Sequence, residues 1–212
     1  MIDYIVISNT CVGQGIIKQK NIYPYNNPFI GSLIPNDYDY IKLVNNFKDY
    51  INMIPVLGNV KDDSLFAKQN KCKYYIHKDI KTPYPIIYLA DIEIHFIHEN
   101  NNEECIKKFL NRLNRLKDII KNNNYKIIFI LSFSELINEH NDINLVIKDY
   151  FGDNNSINEK KYFIGPPEYN NNNENYINIE KWSNIKLTRD TSHIYNFNDQ
   201  IFTINLLCKY IE

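Results

Sequence analysis

The sequence has few cysteines and no long hydrophobic run. Its 212 residues contain four cysteines, and no two of them form a C-x-x-C pair: Cys11, Cys72, Cys105 and Cys208. This spacing excludes a zinc ribbon and a thioredoxin motif. No stretch approaches the ~18 apolar residues of a membrane-spanning helix, and the N-terminus lacks a basic segment followed by an apolar run. We therefore expect a cytoplasmic protein without a membrane span.

Charge of one sign is also lacking, because 24 Lys and Arg residues balance 25 Asp and Glu residues to a formal net charge of −1. A surface dedicated to nucleic acid or to an anionic membrane needs a basic excess, so neither partner is indicated. Hydrophobic residues make up 44% of the chain and aromatic residues 14%, which is ample for a core. The length fits one domain over residues 1–212.

Strand-like apolar runs alternate with helical stripes along the chain. The predicted strands are Tyr4–Ile7, Ile86–His98, Tyr125–Leu131 and Tyr162–Ile164, and the predicted helices begin at Asn36 and Asn102, continue through Leu145–Tyr150 and close the chain at Asp199–Tyr210. The order of strand, helix and strand between 86 and 131 predicts a parallel crossover. We expect a single three-layer α/β domain, with a mostly parallel or mixed sheet flanked by helices, the first strand and Ile86–Phe96 lying centrally. Ligands should bind at the carboxyl ends of the strands.

Cys11 directly follows the first strand and the capping residues Ser8, Asn9 and Thr10. A thiol at a helix N-terminus is stabilised as a thiolate by unpaired N–H groups and by the helix dipole. The same geometry suits a phosphate held by backbone amides, and a buried cysteine that only packs in the core is equally compatible. Gly13 and Gly15 resemble a phosphate-binding turn, but Lys18 stands where the dinucleotide fingerprint requires glycine.

His95 is the best candidate to serve as general base for Cys11, with Asn9 or helix-start amides as oxyanion donors. Period two on the strand places Asp91, Glu93 and His95 on one face, so either carboxylate could orient the imidazole. A shared metal ion is not predicted, because these three positions span about 13 Å of strand. No other cofactor is indicated.

Candidate substrate contacts lie in the proline-aromatic segment and on a later helix. Tyr23, Tyr25 and Phe29 could form stacking walls for a sugar beside Asn26. The helix after Asn102 has a basic face that is usual for solvated surface. Two of its arginines could nevertheless hold an anionic group of a substrate: Arg112 and Arg115.

Several of these segments together resemble an uncharacterised bacterial family whose members carry exopolysaccharide-biosynthesis or acyltransferase-like labels. The segments are Ile7–Cys11, Tyr23–Gly31, Tyr38–Phe47 and Asp91–His98, followed by the helix with Arg112 and Arg115, and the resemblance covers roughly residues 4 to 170. The chain also resembles a sister group labelled papain-like cysteine peptidases. There an S-N-C sequence, a proline-aromatic segment and a histidine before an Arg-rich helix recur in this order.

This resemblance implies a Cys–His site formed by Cys11 with His95 or His98. It implies a Cys-nucleophile acyltransferase or hydrolase that acts on a surface-polysaccharide or glycoconjugate precursor, a small-molecule or glycan substrate. The alternative is a non-catalytic sugar- or nucleotide-sugar-binding protein, or a structural partner in polysaccharide biosynthesis. Assembly into a homo-oligomer stays open.

Overall fold

A computed structural model describes residues 2–10, 12–22, 26–58, 84–96, 98–132, 142–152, 158–165, 174–178 and 208. The strands are β1 (Asp3–Ser8), β2 (Pro55–Gly58), β3 (Ile86–Leu89), β4 (Ile92–His95), β5 (Tyr125–Ser132), β6 (Glu159–Gly165) and β7 (Tyr176–Asn178). The helices are α1 (Val12–Gln19), α2 (Asp37–Asn45), α3 (Phe47–Tyr50), α4 (Asn102–Lys121) and α5 (Ile143–Phe151). Over the described ranges, no helix is both long and apolar enough to cross a membrane.

Four strands form a parallel sheet in the order β1-β5-β6-β7. The buried runs Tyr125–Leu131 and Tyr162–Ile164 were predicted as strands, and both lie in this sheet. Among the described strands β1 ends the sheet, so the prediction that it lies centrally is wrong. The edge of β1 that faces away from β5 is covered by two side-chain amides, because Asn26 donates to Tyr4 O and Asn27 donates to Val6 O. These bonds protect an otherwise open strand edge.

The predicted strand Ile86–Phe96 is instead a hairpin in a second, antiparallel sheet of order β2-β3-β4. Leu89 pairs with Ile92, so the turn consists of Ala90 and Asp91, and Ala90 adopts φ 55. The turn contains no Gly, Pro or Asn, and one Asp within an alternating run is only a weak turn signal in the sequence. The predicted parallel crossover from this segment to Tyr125–Leu131 is also wrong, because β4 and β5 lie in different sheets. β4 pairs with β3 on one side and forms a bridge with Leu33 on the other.

Helix boundaries follow the capping residues. Asn36 accepts from Tyr38 N at the start of α2, and α5 is capped by Asp142 at its N-terminus and by Gly152 at its C-terminus. The cap of α4 is Asn101, one residue before the predicted Asn102. The helix predicted for Asp199–Tyr210 lies outside the described residues except for Cys208, which is helical.

Both faces of the parallel sheet are covered, which gives the predicted α/β fold. One face packs with α2, α4, α5 and the antiparallel sheet in a large apolar cluster. The other face packs with α1 and Cys208 in a smaller cluster. The single-domain organisation over residues 1–212 remains a prediction.

Candidate functional site

Polar side chains are buried where β1 and β5 end, at the edge of the sheet where the sequence predicts a site. Five of them lie at the carboxyl ends of these strands or against them: Ser8, Asn9, Thr10, Asp37 and Ser132. Burying a polar group is unfavourable unless it is hydrogen-bonded, so five such side chains at one edge of the sheet mark this edge as a candidate functional site. Cys11 lies outside the described residues, between Thr10 and the first residue of α1.

The Asn9 carboxamide joins the two strands in the way a peptide group would. Its Oδ1 accepts from Ser132 N at 2.8 Å, and its Nδ2 donates to Ser132 O at 2.8 Å. The same Nδ2 also donates to Asp37 Oδ1 at 3.3 Å. Because an amide nitrogen carries two hydrogens, both are engaged. The prediction that Asn9 donates to an oxyanion is therefore corrected: its side chain is a structural connection.

Asp37 is a fully buried carboxylate that the sequence reasoning did not single out. It is the first residue of α2 after the cap Asn36, and its exposed fraction is 0%. Its Oδ1 accepts from Asn9 Nδ2, which ties the start of α2 to the end of β1. The sequence alone does not reveal this buried carboxylate. Its burial depends on the start of α2 lying beside the end of a strand, which the sequence does not indicate.

Tyr40 is a second side chain inserted between the same strands. Its hydroxyl donates to Ile7 O at 2.7 Å and accepts from Ile130 N at 3.0 Å. Burial raises the pKa of this phenol well above its ordinary value, so it stays protonated and able to donate. Side chains from α2 thus complete the pairing of β1 and β5 at their carboxyl ends.

His95 lies in the antiparallel sheet, in a buried cluster with one carboxylate and two tyrosines. Its Nε2 lies 3.3 Å from Glu93 Oε2, and its Nδ1 lies 3.3 Å from the Tyr84 hydroxyl. Tyr88 donates to the other Glu93 oxygen at 3.4 Å. The predicted pairing of His95 with Glu93 is therefore present in the structure, whereas the two tyrosines had not been anticipated.

The protonation state of His95 follows from its burial. The ring is 0% exposed, and burial lowers its pKa below the ordinary 6.5, opposed by the hydrogen bond and the charge of Glu93. A neutral ring has one N–H and one acceptor nitrogen. Since a carboxylate can only accept, Nε2 carries the hydrogen and Nδ1 accepts from Tyr84. The imidazole is therefore oriented as a neutral base.

A short extended segment connects the His95 cluster to the end of β1. Leu33 and His95 exchange backbone hydrogen bonds of 2.8 Å, and the next residue, Ile34, donates to Asn9 O at 2.9 Å. Strand partners lie about 5 Å apart and successive Cα atoms 3.8 Å apart, so the Cα atoms of His95 and Asn9 are at most about 15 Å apart. His95 therefore lies at the same end of β1 as the capping residues before Cys11.

Asp91 does not share a face with His95, and its predicted role as orienter is wrong. It lies in the β3–β4 turn, where its carboxylate accepts from Lys42 at 2.9 Å and from Tyr50 at 2.7 Å. These two hydrogen bonds hold the pKa of Asp91 below its ordinary value. The period-two argument failed because the chain reverses at Ala90. Of the two candidate carboxylates, only Glu93 contacts the imidazole.

Two predicted substrate contacts belong to the interior. Phe29 is buried between Phe47 and Phe109, with ring centroids 6.5 and 6.2 Å away, so it cannot be a stacking wall. Asn26 is buried and donates to the β1 carbonyl of Tyr4. Their apolar and amide groups stabilise the loop against the sheet instead of facing a ligand.

The remaining predicted contacts are spread over the surface or lie outside the description. Arg112 donates to Ile30 O at 3.3 Å and thereby supports the loop after Asn26, while Arg115 is exposed on α4. His98 is exposed after β4. Tyr23 and Tyr25 lie outside the described residues, so their predicted role stays a prediction.

Comparison with known proteins assigns the chain to a family without assigning an activity. The sequence profile of DUF1919, a domain of unknown function, matches residues 2–199. An uncharacterized protein of Haemophilus influenzae is 30% identical over 112 residues, which cover 53% of this chain but only 44% of that relative. No solved structure matches the chain. Since the profile covers nearly the whole sequence, the protein belongs to the DUF1919 family of domains of unknown function.

Proposed function

We propose that this protein is a cysteine-dependent acyltransferase or hydrolase acting in the cytoplasm on a surface-polysaccharide or glycoconjugate precursor. The observation that carries the proposal is the buried His95–Glu93 pair, which Leu33 and Ile34 tie to the strand end just before Cys11. Cys11 enters by its place in the sequence, since it lies outside the described residues. The substrate class rests on the exopolysaccharide-biosynthesis label of the family that the sequence resembles.

In the proposed reaction the Cys11 thiolate adds to the acyl carbonyl of a donor. The carbon–oxygen or carbon–sulfur bond to the leaving group then breaks, a thioester forms on Cys11, and the proton taken from the thiol passes to the leaving group. An acceptor hydroxyl or water attacks the thioester next, and its proton returns to the thiolate. His95 holds the proton in transit, and Glu93 stabilises the imidazolium while it does so.

Tyr84 is the second residue that this mechanism requires. Glu93 takes Nε2, so only Nδ1 can exchange a proton, and the Tyr84 hydroxyl lies on it at 3.3 Å. In the proposed mechanism Tyr84 relays the proton, giving its own hydrogen to Nδ1 and taking up the one that the thiol releases. Tyr84→Phe should slow the reaction of Cys11 at neutral pH and shift its pH dependence upward.

The test is covalent acylation measured by intact mass. The purified protein is incubated with p-nitrophenyl acetate and with an acyl thioester, and the modified peptide is then mapped. We expect one acyl group on the Cys11 peptide and none in Cys11→Ser. Glu93→Gln should slow acylation, while Asp91→Asn, a matched loss of charge in the same hairpin, should not. His95→Gln should reduce the rate by roughly 10²-fold or more, because general bases contribute that much.

Several results would overturn the proposal. One is the absence of an adduct with both donors, and another is an adduct that persists in Cys11→Ser. If exposed His98→Gln lost the rate and His95→Gln kept it, the base would be His98. Iodoacetamide rates measured against pH give an independent check, since the proposed site requires an apparent pKa for Cys11 below about 8.5.

The alternative of a non-catalytic sugar-binding protein is not favoured by the described contacts. One of its three proposed wall residues, Phe29, is buried in the interior, and so is the neighbouring candidate contact Asn26. Tyr23 and Tyr25 would then have to carry the binding. Calorimetry with sugars and nucleotide sugars on Tyr25→Ala would reveal such a role, which Cys11→Ala should not affect.

A further inference from the structure

The hydroxyl of Ser132 is buried without a hydrogen-bond partner among the described residues. Ser132 is the last residue of β5, and its exposed fraction is 1%. Its backbone N–H and C=O are both bonded to Asn9, so the residue is held in place while its Oγ is not. Unpaired buried hydroxyls are uncommon in native structures because they are costly, and each calls for an explanation.

The position of this hydroxyl along β5 shows which face of the sheet it is on. Ile128 and Ile130 belong to the apolar cluster that contains Ile16 and Ile17 of α1. Side chains two residues apart on a strand share a face, so Ser132 points to the side of the sheet that α1 covers.

The start of α1 lies over the same edge. A Cβ on Gly13 would come within 3.1 Å of Ser8 Cβ and 3.7 Å of Val6 Cγ1, so the first turn of α1 packs directly on the end of β1. The first turn of a helix presents N–H groups without intrahelical partners and the positive end of the dipole. No acidic residue occurs in the first turn of α1 to neutralise it.

We propose that the Ser132 hydroxyl donates a hydrogen bond to an anionic oxygen of the ligand, held between this hydroxyl and the first-turn amides of α1. The edge then has two types of donor aimed at one anion, the arrangement by which proteins hold phosphates or developing oxyanions. The proposed donor replaces Asn9, whose amide hydrogens are both engaged, with a hydroxyl that has no hydrogen-bond partner among the described residues.

The anionic oxygen can come from two sources with the same chemistry. In the proposed function it is the carbonyl oxygen that becomes negative when the thiolate adds, and this source rests on that function. In a phosphorylated ligand it is a phosphate oxygen, which needs no covalent step. The two sources give different results in the experiment below.

Three variants test the proposal. Ser132→Ala removes the hydroxyl, Ser132→Thr restores one, and Ser32→Ala removes a buried hydroxyl that is already bonded to Phe29 O at 2.8 Å. Because Ser132 Oγ has no bond to lose within the described ranges, Ser132→Ala should melt at the wild-type temperature or above it. Ser32→Ala should melt lower, since it loses the hydroxyl bond to Phe29 O and leaves that carbonyl with only the bond from Ser32 N. Each variant is then compared with wild type in two measurements.

The first measurement is the melting temperature with inorganic phosphate or pyrophosphate, against sodium chloride of equal ionic strength. The second is the acylation rate with p-nitrophenyl acetate. A phosphate-dependent rise in melting temperature that Ser132→Ala abolishes identifies a phosphate group, even if no acylation occurs and the proposed function fails. An acylation rate that falls by roughly 10²-fold in Ser132→Ala and recovers in Ser132→Thr identifies the acyl oxyanion. If Ser132→Ala equals wild type in both measurements, the proposal is overturned.

Discussion

Replacing Asn9 by alanine should destabilise the protein more than a single polar substitution usually does. The change removes the carboxamide that bonds both backbone groups of Ser132 and one oxygen of Asp37. A buried group left unsatisfied costs about 1–3 kcal/mol. If only the two backbone groups of Ser132 are counted, we expect the free energy of unfolding to fall by about 3 kcal/mol. In a chain of this size that lowers Tm by roughly 6–12 °C.

The measurement is guanidinium unfolding followed by circular dichroism, with Asn9→Asp as the matched variant. Aspartate can still accept from Ser132 N, but it cannot donate to Ser132 O, and its carboxylate would face that of Asp37. It should lose at least as much stability as alanine at pH 7 and recover part of it in acid, where one carboxyl is protonated.

A loss below about 1 kcal/mol in Asn9→Ala, with an unchanged denaturant slope, would refute the reasoning. It would mean that the carboxamide does not join the strands in solution. Asn9 would then be available as an oxyanion donor, as the sequence had suggested.

Three further outcomes follow from strain and burial. Ala90→Gly should raise the unfolding free energy by up to about 1 kcal/mol in denaturant titration, because φ 55 strains a residue with a Cβ. Burial raises the pKa of Cys105 to about 12 and also raises that of Cys208, so iodoacetamide at pH 7 should modify both only in denaturant, as read by peptide mass. Burial lowers the pKa of His95 in the folded protein. As the pH falls below 6.5, His95 therefore takes up a proton in the unfolded chain before it does so in the folded protein. The free energy of unfolding should decrease over this range, until the pH reaches the pKa of His95 in the folded protein. His95→Gln should flatten that decline and His98→Gln should not.

The helices α2, α4 and α5 and three of the four described parallel strands were predictable because their signals are local, whereas the short strand β7 was not predicted. Side chains such as Asn36 and Asp142 bond to amides within a few residues, and an apolar stripe reports only that one face is buried. The runs that became β5 and β6 are apolar throughout, which is typical of strands covered on both faces. For these elements the sequence and the packing agree.

The second sheet was missed because its determining contacts are long-range. The hairpin turn of Ala90 and Asp91 contains no Gly, Pro or Asn, so the alternating pattern placed Asp91 on the wrong face and with the wrong partner. Its hydrogen bonds go to Lys42 and Tyr50, which are distant in sequence. Phe29 was misassigned for a similar reason, since an aromatic residue in a proline-rich loop can pack in a core or line a site. Its contacts with Phe47 and Phe109 show that it packs in the core.

The division into two sheets has a consequence for the proposed chemistry. The proposed nucleophile follows β1 and the proposed base lies on β4, so the two belong to different sheets. The distance between them depends on the Leu33–Ile34 segment, which bonds to His95 of β4 and to Asn9 after β1. Proline at position 33 would remove the N–H that Leu33 donates to His95 O, while its φ remains compatible with an extended strand. If the segment sets the separation, this variant should lower the acylation rate while the neutral His95–Glu93 pair, read from the pH dependence of stability, persists. An unchanged rate would show that the two sheets are held in place by core packing alone.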